Sequence, residues 1–147
     1  MVNDIDIKAA LMEPKTWMIL SSVVVVLMLG IGPMMISSGE VADMAEDQFG
    51  EVYTNASDAD KETIEEIQKE EAYFFGATNV ALSLFIIGFA FLTEGTTRSK
   101  SAVFCGVSLI LWAIYSQGEL DMEALGFYSV VSAPMIIVGA LHLKDGE

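Results

Sequence analysis

The sequence predicts an all-α integral membrane protein, a four-helix bundle with an amphipathic helix and a helical extension in its first, outer loop. Three observations carry this. Apolar residues make up 53% of the 147 positions. They collect in four stretches without Asp, Glu, Lys or Arg, at 16–39, 72–93, 101–118 and 124–143. The segment between the first two is strongly acidic, yet its apolar residues recur at helical spacing. A bilayer core of ~30 Å needs ~20 apolar residues at ~1.5 Å each. Backbone polar groups must be satisfied within the segment in lipid, so these runs predict helices; the alternation of a membrane barrel is absent. The expected organisation is one membrane domain, with helices at about 16–37, 72–94, 101–117 and 124–143 and an acidic outer loop at 38–71.

The start, "MVNDIDIKAALMEPK", mixes Asp4, Asp6 and Glu13 with Lys8 and Lys15. That is neither the basic start of a signal peptide nor an acid-poor transit sequence, so the first helix is expected to stay uncleaved. Near its end Pro33 predicts a kink, as Pro134 does in the fourth helix, and such kinks could open a cavity at the outer ends.

In "EVADMAEDQFGEV" (40–52), Val41, Met44, Ala45, Gln48, Phe49 and Val52 share one helical face, and Glu40, Asp43, Glu46, Asp47 and Glu51 the other. Surface-seeking helices usually carry Lys and Arg on the polar face. An acidic one is expected to pack on its own bundle or on a partner. Ser57 or Asp58 then caps a helix that nothing breaks before Thr93. Its first turns stand in water, with Glu65 and Lys69 as an i,i+4 pair and with Ile64 and Ile67 as a narrow apolar stripe leaning on the amphipathic helix.

Glu62, Glu66 and Glu70 line one face of this extension; with Asp43, Glu46 and Asp47 they form the candidate surface for a basic partner or a cation. They do not predict a metal centre. A di-iron carboxylate site also takes histidines from neighbouring helices, whereas His142, the single histidine, falls at the opposite membrane face. Asp58, Asp60 and Glu62 alternate like calcium ligands but lack that loop's glycine and final glutamate. "NAS" at 55–57 makes Asn55 a glycosylation acceptor if the chain passes through a eukaryotic secretory pathway.

The spans themselves hold no charge, where proton relays and ion paths would need one. Paired haem histidines, a Gly-rich phosphate loop and Cys/His metal spacing are all missing, so no cofactor and no catalytic residue is expected. The nine methionines read as core filling, and Cys105, the single cysteine, precludes an internal disulfide. The polar content of the spans is modest. Asn79, Ser83 and Ser132, with Tyr128, are the candidate helix–helix or pocket contacts. Trp17 at the inner edge, and Tyr73, Tyr115 and Tyr128 near the outer ends, are expected at the headgroup level.

Orientation follows from basic residues. Lys8, Lys15, Arg98, Lys100 and Lys144 fall on one side and only Lys61 and Lys69 on the other, which places both termini on the cytoplasmic-type side. Fifteen of the 21 acids fall outside, giving that face a net charge of about −13, which would repel nucleic acid and attract cations or a basic domain.

A GxGP near the end of the first helix, an amphipathic stretch ending in FG, an acidic helix, then "AYFFGATNVALSLFIIGFAFL" and a short basic loop follow one another over residues 27–117. This order resembles the DoxX-like small four-helix membrane families. The resemblance implies the fold and association with a membrane redox complex; an arginine that many members carry in the first helix is missing here. Together these features predict a multi-pass membrane protein acting as a non-catalytic accessory or assembly subunit, partnered by lipid and by other membrane subunits or copies of itself. The alternatives are an oligomeric conduit for cations or small solutes and a lipid- or quinone-binding membrane protein.

Overall fold

The computed structural model describes residues 7–116 and 122–145. The described residues are helical and joined by short turns. They form α1 (Ile7–Leu11), α2 (Pro14–Met34), α3 (Ser38–Phe49), α4 (Glu51–Thr54), α5 (Asp58–Leu92), α6 (Gly95–Ser116) and α7 (Met122–Asp145). Helices α2, α5, α6 and α7 are each long and apolar enough to cross a bilayer, which makes this an integral multi-pass membrane protein. The outer segment "QGELDMEA" lies largely outside the described residues. The chain divides into two compact units, Met1–Val25 with Leu82–Glu147, and Val26–Ala81.

In the first unit α6 and α7 pack along their lengths, and the first part of α2 packs on both. Small residues set the spacing. A Cβ on Gly139 would stand 2.8 Å from the Ser99 carbonyl oxygen, and one on Gly106 only 2.6 Å from Ile136 Cγ1 and 3.2 Å from the Ser132 carbonyl oxygen. Each helix thus lends a glycine to its neighbour, the small-residue packing that lets membrane helices approach closely. Met18, Val25, Leu109, Met135 and Val138 fill the core. Pro134 sits inside α7, where its ring removes the donor due to the Val130 carbonyl. The next carbonyl, that of Val131, accepts a hydrogen bond from Ser21 Oγ of α2 at 2.7 Å, an added donor just where a buried proline loosens the ladder.

The basic loop "TEGTTRSK" is corrected by the structure. Only Thr93 and Glu94 lie between α5 and α6, and Arg98 and Lys100 stand on the first turns of α6. A run without charge measures how far the chain is dry, not how far it is helical. The reversal is made at Gly95, whose φ of +51° needs no Cβ.

The second unit holds the end of α2, the acidic loop and the start of α5. Residues Val26–Ile31 wind as a π-helix immediately ahead of Pro33. A proline inside a helix cannot donate to the carbonyl four residues back and crowds it; a widened turn there relieves both problems. Gly76 of α5 meets this stretch. A Cβ at that position would stand 2.5 Å from the Gly30 carbonyl oxygen and 2.7 Å from Met34 Cγ.

Helix α3 begins on a capping box. Ser37 Oγ accepts from the Glu40 amide at 3.3 Å, and the Ser37 amide donates to Glu40 Oε2 at 2.8 Å. The amphipathic stretch 40–52 is not one helix. It stops at Phe49, and Gly50, at φ +53°, turns the chain into α4. The break swings Val52 off the shared face, leaving it 72% exposed, and Met44 and Phe49 are also exposed; Val41 and Ala45 are the buried pair of α3. Ile67 is exposed as well, so the seam of the stalk passes instead through Gln68, which is 5% exposed. Ser57 caps α5, accepting from the Asp60 amide at 3.3 Å and donating to Asp60 Oδ2 at 2.6 Å.

Candidate functional site

The acidic helices of the second unit are pinned by hydrogen-bonding side chains. Tyr53, buried on α4, donates its hydroxyl to Glu65 Oε1 of α5, and Gln68 Nε2 donates to Gln48 Oε1 of α3 at 2.7 Å. Lys61 Nζ lies over the Tyr53 ring, 5.5 Å from its centroid. The hydrogen bond to Glu65 comes first among the causes that push the Tyr53 hydroxyl up to about 12; partial burial and the charges of Glu65, Glu46 and Asp43 add to it. At neutral pH the phenol is therefore a fixed donor. The Ser37 hydroxyl holds the Glu40 carboxyl below its usual value, with the Ser37 amide as second cause.

With Tyr53 and Gln68 turned inward, the expected partner surface is outward. Asp43, Glu46 and Asp47 on α3, and Glu62, Glu66 and Glu70 on α5, are all exposed to solvent. Among the described residues no three His, Cys, Asp or Glu side chains converge to hold a metal ion. Glu66 and Glu70 have a further setting. With Lys69 and Tyr73 they line one wall of an open cleft of about 330 Å³, whose other wall is Pro33, Met34 and Ile36.

The buried polar candidates fall in both units. Asn79, in the second, is fully buried, and its Nδ2 donates to the Phe75 carbonyl at 3.0 Å, a bond within its own helix. Ser83, Tyr128 and Ser132, in the first, are equally buried. Ser83 Oγ and Ser132 Oγ meet no hydrogen-bond partner, whereas Ser22 Oγ satisfies itself on the Met18 carbonyl at 2.7 Å. Tyr128 is corrected from a headgroup anchor to a core residue, edge-on to Phe127 with ring centroids 5.9 Å apart; Tyr73 and Tyr115 stay exposed. Trp17 donates its Nε1 to the Leu11 carbonyl at 2.7 Å and ties α1 to α2.

Sequence reasoning missed Tyr53 and Gln68. Twelve residues separate Tyr53 from Glu65 and twenty separate Gln48 from Gln68, so no helical period links either pair. A glycine directly after an amphipathic run is a C-cap signal, and reading Gly50 that way would have placed Tyr53 on a separate, returning turn. Comparisons with protein-family models, with curated proteins and with solved structures find no match.

Proposed function

We propose that this chain is a non-catalytic accessory or assembly subunit of a larger membrane complex, docking through its acidic helices. The observation that carries the reading is the division of labour in the outer loop. Tyr53, Glu65, Gln48 and Gln68 hold the helices to one another, while Asp43, Glu46 and Asp47 point outward as a prearranged anionic surface. An ordered carboxylate face suits a basic partner domain, because the side chains to be matched are already in place. The charge-free spans and the resemblance to DoxX-like families point the same way. Extraction in mild detergent followed by native electrophoresis tests it. The protein is expected to migrate in a hetero-oligomer that dissociates when Asp43, Glu46 and Asp47 are changed together to lysine. A stable monomer with no co-purifying protein overturns the proposal.

A second reading, a lipid- or quinone-binding membrane protein, draws on the Ser83 and Ser132 hydroxyls, which are buried without partners. A buried hydroxyl left unbonded is costly, and a ligand oxygen would relieve it. Ser83→Ala and Ser132→Ala, made one at a time, test it: unchanged activity of the parent system in both counts against the reading. The proposed orientation, both termini on the cytoplasmic-type side, is read by labelling. Cys105 is buried, so a cysteine introduced at Ser57 should react with an impermeant maleimide from the outside only.

A further inference from the structure

We propose that the cleft between the end of α2 and the wet-to-dry boundary of α5 binds the headgroup of phosphatidylethanolamine. The inference rests on the membrane placement of these two helices and not on the accessory-subunit reading.

One wall of the cleft is Pro33 and Met34, the last residues of the first span, with Ile36 just beyond it; the other is Glu66, Lys69, Glu70 and Tyr73. The four residues of the second wall are spaced as i, i+3, i+4 and i+7, so they stand on one face of α5. Two carboxylates, one ammonium and a phenol ring therefore face three apolar side chains. The gap exists because Gly76, one turn further into the span, lets the Gly30–Met34 backbone reach α5, while the π-helical turn and Pro33 redirect the chain just beyond. The charge-free run of α5 begins at Ala72, so the cleft spans the level where headgroups meet acyl chains.

The lining selects among headgroups by charge. An anionic headgroup would face two carboxylates in the cleft and the wider acidic loop, with only Lys69 to offset them. A zwitterion fits both signs: its phosphate takes Lys69, and its cationic end takes Glu66 and Glu70 beside the Tyr73 ring. Between zwitterions, a primary ammonium donates three hydrogen bonds to carboxylates, which a quaternary ammonium cannot do. The single aromatic ring is also short of the cage that choline recognition uses. Pro33, Met34 and Ile36 supply an apolar flank for the acyl chains, which distinguishes the lipid from its free headgroup.

Native mass spectrometry of the full-length protein, released from detergent containing equal amounts of phosphatidylethanolamine, phosphatidylcholine and phosphatidylglycerol, tests the assignment. Phosphatidylethanolamine should be the adduct retained. Glu66→Gln, Lys69→Gln and Glu70→Gln together should cut its retention about tenfold. All three positions are exposed, so the fold should persist, which an unchanged melting temperature in lipid-free detergent verifies. Tyr73→Ala, which leaves every charge in place, should weaken retention by a smaller factor. Equal retention by the wild type and the triple variant overturns the proposal, as does equal retention of phosphatidylglycerol or phosphatidylcholine. Displacement of the lipid by equimolar glycerophosphoethanolamine overturns the lipid as the occupant.

Discussion

In the first unit, α6 and α7 meet where Gly106 and Gly139 let backbone and aliphatic side chains touch; in the second, α3, α4 and α5 meet through Tyr53–Glu65 and Gln48–Gln68. The difference follows from the solvent. Lipid tails are as apolar as leucine, so burying leucine between membrane helices gains little, and close van der Waals contact must serve instead. The acidic helices stand in water and carry few apolar residues, with Val41 and Ala45 fully buried on α3. Directed hydrogen bonds then decide which pairing is adopted, and the cost of leaving Gln68 unbonded inside the seam enforces it.

The contrast predicts where a methyl group is intolerable. Gly139→Val should destabilise the protein by about 2–3 kcal/mol, because its Cβ would stand 2.8 Å from a backbone oxygen that cannot swing away. Thermal unfolding in detergent measures it. Gly106→Ala should cost less, since it adds one methyl group whose closest obstacle is a side-chain atom, Ile136 Cγ1 at 2.6 Å, although the Ser132 oxygen at 3.2 Å limits the escape. If Gly106 proved the more sensitive site, backbone proximity would not be what spaces α6 and α7.

In the second unit, Tyr53→Phe removes the donor to Glu65 while keeping the ring under Lys61. Amide exchange in α4 and the first turns of α5 should rise about fivefold, with the spans unaffected. The same bond gives a pH signature. The Tyr53 pKa is raised from 10.0 to about 12 in the fold, so the folded state holds its proton more tightly than the unfolded one. Its contribution is then complete below pH 10 and is lost as the pH climbs through about 12. Wild-type protection should fall over that window, and the Phe variant should show no such loss. A flat wild-type profile would detach the phenol from the stability of the outer helices.

Ser37→Ala should act more locally still. It removes the donor to Glu40 and an acceptor for its amide, so α3 should fray at its start for a loss of about 1 kcal/mol. Because the bonds to Ser37 lower the Glu40 pKa in the fold, their contribution is present above the ordinary carboxyl range and disappears as pH falls through the lowered value. Exchange of the first α3 amides at descending pH, wild type against Ala, reads both effects.

What was legible in the sequence follows the same divide. The four spans could be read because lipid excludes charge, a rule that needs no knowledge of packing. Asn79 and Ser132 could be named as buried for the same reason. Their partners could not: Asn79 bonds back to Phe75 in its own helix, and the approach of the Ser132 carbonyl to Gly106 depends on the pairing of α6 with α7. Charge also misleads at helix ends. Arg98 and Lys100 sit on helical backbone in α6 because an interfacial turn tolerates charge while keeping its hydrogen bonds. In the acidic loop the helical period was visible, but the φ of Gly50 broke it and moved Val52 off the shared face, while on α5 the seam runs through Gln68 and leaves Ile67 exposed.

The smallest effect is the sharpest test of the contrast. Gly88 lies on α5 in the first unit, and a Cβ there would meet nothing within 4 Å. In a water-exposed helix, Gly→Ala gains about 1 kcal/mol, chiefly because the unfolded chain loses freedom. A span that dissociates from its neighbours within a bilayer remains helical, since lipid offers its backbone no other partner. The unfolded-state term therefore largely vanishes, and Gly88→Ala should change stability by less than about 0.5 kcal/mol when measured in bilayers, well below the aqueous value. In a denaturing detergent that melts helices, the same substitution should recover part of the aqueous gain. A full gain in both media would mean that α5 loses its helix when it leaves the bundle, and close glycine packing would then be holding the helix itself together as well as its neighbours.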